Sequence, residues 1–80
     1  MTIQYHVTVD RLGDEWQAVC PALRHHGAVI GGETREEALV HIEYAILTIL
    51  AEMKSNGVPP PPDEVVPGGV VLVVETGAAG

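Results

Sequence analysis

Eighty residues with four Lys/Arg, eleven Asp/Glu and a net charge of −7 describe one small acidic domain with a thin core. That charge disfavours contact with a phosphate backbone and suits a basic partner, and the single cysteine, Cys20, excludes an intrachain disulfide. No apolar run approaches the ~18 residues of a membrane span and no basic start precedes an apolar segment, so the expected setting is cytoplasmic.

Ile3, Tyr5, Val7 and Val9 alternate with Thr2, Gln4, His6 and Thr8, the period of a half-buried strand. Arg11-Leu12-Gly13-Asp14 reads as a short turn, and Glu15 to Cys20 as a second strand with Trp16, Ala18 and Cys20 on one face. Together they predict a hairpin. Pro21 ends the second strand, because proline has no amide to give to a ladder. Ala22 to Gly27 is expected to be a loop, and Ala28 to Gly31 a short third strand.

Gly31-Gly32-Glu33-Thr34-Arg35-Glu36-Glu37-Ala38 carries a helix start. Thr34 can accept from the amide of Glu37, and the Glu37 carboxylate can reach back to the amide of Thr34, forming a capping box. Glu33, Glu36 and Glu37 stand where the helix dipole is positive. The helix is expected from about Arg35 to Asn56, with Ala38, Leu39, Ile42, Ala45, Ile46, Ile49, Leu50 and Met53 on its core face. Gly57 is a left-handed stop, and Val58 can pack back as in a Schellman cap. Pro59 to Pro62 predict an extended spacer. Val70 to Val74 is a β-branched run expected to form the last strand, with residues 77–80 a flexible tail after a single domain at 1–76.

The order β-β-β-α-β predicts an α+β fold. A right-handed crossover through the helix would set the last strand beside the first and parallel to it. The expectation is a four-stranded mixed sheet, order 3-2-1-4, with one helix on one face. Val40, Tyr44, Leu47 and Ala51 form a second apolar stripe on the helix, roughly opposite the first at 3.6 residues per turn. A surface helix normally has one such stripe, so these four residues are the candidate oligomer interface.

Catalytic signatures are sparse. Asp10 ends the first strand, and no other acid falls at a matching place inside a strand. His25 and His26 are adjacent, so their side chains diverge and cannot chelate one ion as a helical i, i+4 pair does; Cys20 with a histidine is no complete zinc set. His6 alternates with the apolar face of its strand and is expected to be exposed. Gly31-Gly32 lacks the following lysine of a phosphate loop. No cofactor is therefore expected.

Several blocks, taken in order, resemble the amino-terminal domain of the HicB antitoxin family. They are Tyr5-x-Val7, Gly13-x-x-Trp16-x-Ala18, Pro21-x-Leu23, Gly32-Glu33-Thr34-x-Glu36-Glu37-Ala38, Glu43-x-Ala45-Ile46 and Gly57-Val58-Pro59-x-Pro61, spread over residues 3–74. The resemblance implies a partial RNase H-like fold and a dimer or tetramer. It also implies a function: neutralising a small basic mRNA-cleaving toxin of the HicA type by docking against it. Such proteins usually add a DNA-binding domain after this one. None is encoded in these 80 residues, so no direct nucleic-acid binding is expected of them. The Pro21-Ala22-Leu23-Arg24-His25-His26-Gly27 segment departs from the proline-acid-leucine-proline-glycine loop common in the family.

Asp10, Asp14, Glu15, His25, His26, Glu33 and Glu36 make up the candidate partner surface, with Glu37, Asp63 and Glu64 as further available carboxylates. Two other readings stand beside the antitoxin-like module. One is a stand-alone oligomeric scaffold or ligand-binding protein with no toxin partner. The other, least supported by the residues, is a metal-dependent nuclease.

Overall fold

The computed structural model describes residues 2–75; the tail expected at 77–80 lies outside them. The elements in chain order are β1 (Thr2–Leu12), β2 (Glu15–Val19), a 3-10 helix (Pro21–His26), β3 (Val29–Gly32), α1 (Arg35–Ser55) and β4 (Val70–Glu75). The strands form one sheet in the order β3-β2-β1-β4, and every neighbouring pair is antiparallel. The fold is α+β, with α1 laid across one face.

Leu12 pairs with Glu15, which leaves Gly13-Asp14 as a two-residue hairpin turn, and Gly13 takes φ +63° there. β1 is long and divides its partners. Thr8 to Leu12 pair with β2, whereas Thr2 to Val7 pair with β4. Extending the β2 register by two places sets Pro21 opposite His6, and there β2 has ended. The chain instead enters the 3-10 helix, where a plain loop was expected. Leu23 donates its amide to the Cys20 carbonyl at 3.0 Å and is fully buried, so the turn closes that end of the core with an apolar side chain.

Tyr5, Val7, Ala18, Cys20, Ala28 and Val74 meet Ala38, Ile42, Ile46, Leu50 and Met53 of α1 in one buried cluster. Burying an isoleucine such as Ile42 or Ile46 contributes about 1.5–3 kcal/mol. Alanines at 18, 28 and 38 let the helix approach the sheet closely. At Gly32, where the chain passes from β3 into the helix, an added Cβ would stand 2.5 Å from the Ala38 nitrogen.

Both ends of α1 are capped. Thr34 Oγ1 accepts the Glu37 amide at 3.0 Å. The Glu37 carboxylate reaches back one residue further than expected, accepting the amide of Glu33 at 3.2 Å. At the other end Val58 donates to the Met53 carbonyl at 2.8 Å and Gly57 to the Lys54 carbonyl at 3.1 Å, with Gly57 at φ +72°. That is the expected Schellman closure.

The parallel placement of β4 is corrected to antiparallel, and the cause is the proline spacer. Tyr5 binds Pro61 and His6 binds Asp63, so residues 61–63 run alongside β1 in its own direction. Extended chain of about nine residues at ~3.1 Å each nearly retraces the ~31 Å of the 21-residue helix. Val66-Pro67-Gly68-Gly69 then reverses the chain. Gly69 donates to Val66 at 2.9 Å and Gly68 sits at φ +78°, the pattern of a type II turn with proline second and glycine third. A crossover that ended at the helix would deliver a parallel strand; the strap adds one more pass and inverts it.

Candidate interaction surfaces

The register gathers most of the candidate carboxylates at one end. Asp10 faces Gln17 and Leu12 faces Glu15 at the hairpin tip, while Trp16 faces Gly32, the last residue of β3. The β1–β2 tip therefore adjoins the junction of β3 with α1. Asp10, Asp14, Glu15, Glu33 and Glu36 are all exposed there. Two guanidiniums share this end. Arg11 Nε donates to the Gly13 carbonyl at 3.1 Å, and Arg35 is exposed in the first turn of α1. Glu37 is half-buried and engaged in capping, so it is not offered to a partner as the others are.

His25 and His26 are exposed but stand apart from this acidic end. His26 lines a shallow depression with Ile49, Glu52, Met53, Asn56 and Val58, at the C-terminal end of α1. The seven residues of the candidate partner surface thus divide into five at one end and two at the other.

The outer face of α1 carries the second stripe. Val40 is 64% exposed, Tyr44 74% and Leu47 36%, and Ala51 is exposed as well. Thr48 Oγ1 donates back to the Tyr44 carbonyl at 3.0 Å, and His41 Nδ1 donates to the Gly31 carbonyl at 3.0 Å, tying that flank of the helix to β3. The sheet face away from α1 shows Val71 and Val73, 45% and 54% exposed, across from His6 and Gln4.

A third constellation had no sequence reading behind it. Asp63 Oδ1 accepts the His6 amide at 2.8 Å, and Asp63 Oδ2 meets His6 Nδ1 at 2.5 Å. Both side chains are about four-fifths covered, so His6 is a strap anchor and not the exposed strand residue expected from alternation. Partial desolvation pushes the Asp63 carboxyl up. The His6 amide, the His6 ring and its charge outweigh this and hold the carboxyl below its ordinary range. Next to it, the Tyr5 hydroxyl donates to the Pro61 carbonyl at 2.7 Å, and burial pushes the phenol's pKa up. Burial likewise raises the Cys20 thiol. The signal for the anchor was faint: a lone Asp after four prolines, with a histidine 57 residues earlier.

Among the described residues no group of three or more His, Cys, Asp or Glu is placed to hold a metal ion. Asp10 stands exposed at the acidic end, with no second carboxylate from β4 beside it. No described helix is long and apolar enough to cross a membrane. Comparison with protein-family models, curated proteins and solved structures finds no match for this chain.

Proposed function

We propose that this chain is a protein-binding module of the HicB antitoxin kind, which docks its acidic end against a small basic mRNA-cleaving toxin and blocks it. The observation that carries the reading is the convergence of Asp10, Asp14, Glu15, Glu33 and Glu36 on one end of the fold. The ordered HicB-like blocks supply the class of partner, and the partial RNase H-like label belongs to the same proposal. The chain acts by binding rather than catalysis, in the cytoplasm where such a toxin meets its mRNA.

The physics is electrostatic complementarity. Exposed carboxylates on rigid strand and helix ends speed encounter with a cationic surface and set its orientation. Docking them costs little backbone ordering, since the hairpin and the helix cap already fix their main chain. The affinity is expected to fall with added salt.

The test is titration calorimetry with a catalytically silenced HicA-type toxin, at low and high salt, beside a growth-rescue assay with the active toxin. Reversing Asp14, Glu15 and Glu33 to lysine together should weaken binding by about tenfold or more, equivalent to ~1.4 kcal/mol, and abolish rescue. A reversed variant that binds and rescues like the parent would overturn the proposal.

A further inference from the structure

The two edges of the sheet are finished differently. β3 is four residues long and ends in Gly31-Gly32, and His41 takes its Gly31 carbonyl at 3.0 Å. β4 is six residues long, and from Val70 to Val74 it holds no charge, proline or glycine. Its register with β1 runs unbroken from Thr2↔Glu75 to Val7↔Val70, without a bulge. Among the described residues no further strand pairs with it. Sheets commonly guard an edge with a charge, a proline or a bulge, and β4 from Val70 to Val74 has none of these.

The register also fixes which backbone groups are open. The His6 amide goes to Asp63, so it points away from β4, and His6 and Val71 form a non-hydrogen-bonded pair. Alternation then directs Val70, Leu72 and Val74 toward Val7, Tyr5 and Ile3. The Val7 carbonyl agrees with this, lying 2.9 Å from where a Cβ on Gly69 would stand. Val71 and Val73 therefore turn their amides and carbonyls outward. Their side chains are 45% and 54% exposed, on the sheet face away from α1. Outward backbone groups at every second residue are matched by an extended chain.

Charge selects which chain. No Lys, Arg or His follows Lys54 in the sequence, whereas Asp63, Glu64 and Glu75 do. A second copy would set one chain of net charge −7 against another, while a cationic strand is attracted. We propose that the outer edge of β4 captures an extended, cationic segment of a partner protein as an added strand. That segment is about five residues long, β-branched at alternate positions to lie beside Val71 and Val73, and flanked by Lys or Arg. The edge runs along the early half of β1, away from the hairpin tip and its carboxylates, and the inference does not rest on the antitoxin-like reading.

Fluorescence anisotropy of the full chain with a labelled peptide, Lys-Lys-Val-Thr-Val-Thr-Val-Lys-Lys, tests it. Dissociation at about 10–100 µM is expected. The same peptide N-methylated throughout its central residues should bind about tenfold more weakly or worse, and so should one with Glu in place of Lys. Val73→Pro removes an outward amide and leaves the bonds to β1, so it should weaken binding about tenfold with an unchanged circular dichroism spectrum. Val73→Lys guards the edge with a charge and should act likewise, which keeps the test decisive if the proline variant does not fold. No binding by the wild type below about 1 mM, or equal binding of the N-methylated peptide, overturns strand addition. A Glu-flanked peptide that binds as tightly overturns the choice of a cationic partner. Sedimentation equilibrium of the chain alone covers the other occupant: a dimer that either Val73 variant abolishes would place a second copy on this edge and overturn the proposal.

Discussion

Removing the Asp63 carboxylate should loosen the strap that turns β4 around, and the cost can be worked from the contacts. Asp63 receives two hydrogen bonds from one residue, the His6 amide at 2.8 Å and the His6 ring at 2.5 Å. Hydrogen bonds to a charged group contribute ~1.5–3 kcal/mol each, and the roughly one-quarter exposure of the Asp63 side chain argues for the lower end of that range. Asp63→Ala removes both acceptors and should cost about 2–3 kcal/mol. Asp63→Asn keeps an oxygen for the His6 amide but loses the charge, and should cost about 1 kcal/mol. For a domain of this size, 1 kcal/mol lowers the melting temperature by ~4–8 °C, so the alanine variant should melt roughly 10–20 °C below the parent.

The pH dependence carries the sign. The folded state holds the Asp63 carboxyl below its ordinary range, so its contribution is fully present above that range. It is lost as pH falls through the folded value. Urea unfolding at about pH 6 and again near pH 3 should therefore show the gap between wild type and Asp63→Asn closing on acidification. A gap that stays constant with pH, or an alanine variant as stable as wild type, would refute the claim that Asp63 anchors the strap by its charge.

Gly32→Ala should be among the most damaging single-methyl additions, because its Cβ meets the main chain of Ala38 at 2.5 Å and 2.9 Å, and backbone cannot swing aside; overpacking of this kind costs ~1–3 kcal/mol or more. Its neighbour Gly31 has only the Trp16 carbonyl at 3.6 Å, so Gly31→Ala in the same thermal-melt series should be nearly neutral and serves as the control. Cys20, fully buried with its thiol pushed up by burial, should react with a disulfide reagent orders of magnitude more slowly in the native protein than in urea; equal rates would place the thiol at the surface.

The elements that depend on short-range chemistry were legible in the chain. Thr34, Glu37, Gly57 and the three-four spacing from Ala38 to Met53 located α1 to within a residue. The Gly13 turn and the alternation around Tyr5 located the hairpin, and β4 lies beside β1 as a helical crossover implied, although it runs the other way. What was illegible depends on distant partners. The direction of β4 hangs on Tyr5 and His6 gripping Pro61 and Asp63, contacts 56 and 57 residues apart that no local period encodes. His6 looked like an outward strand residue because alternation reports a face and says nothing of a sheet edge. The 3-10 turn was hidden because Pro21 marks the end of a strand but is equally at home opening a loop or a helical turn. For the candidate surfaces, the helix stripe was readable from periodicity alone. The separation of His25 and His26 from the carboxylates needed the tertiary arrangement.

The divided pairing of β1 also bears on the order in which the molecule assembles. Its later half closes on β2 through a two-residue turn, a contact between near neighbours that costs little loop entropy. Its earlier half waits for β4, almost the whole described chain away, and that closure must bear the entropy of the helix and strap between them. Until β4 arrives, Ile3 to Val7 present an open backbone edge. The molecule's slowest step and its most aggregation-exposed moment should therefore coincide on one short stretch of the first strand.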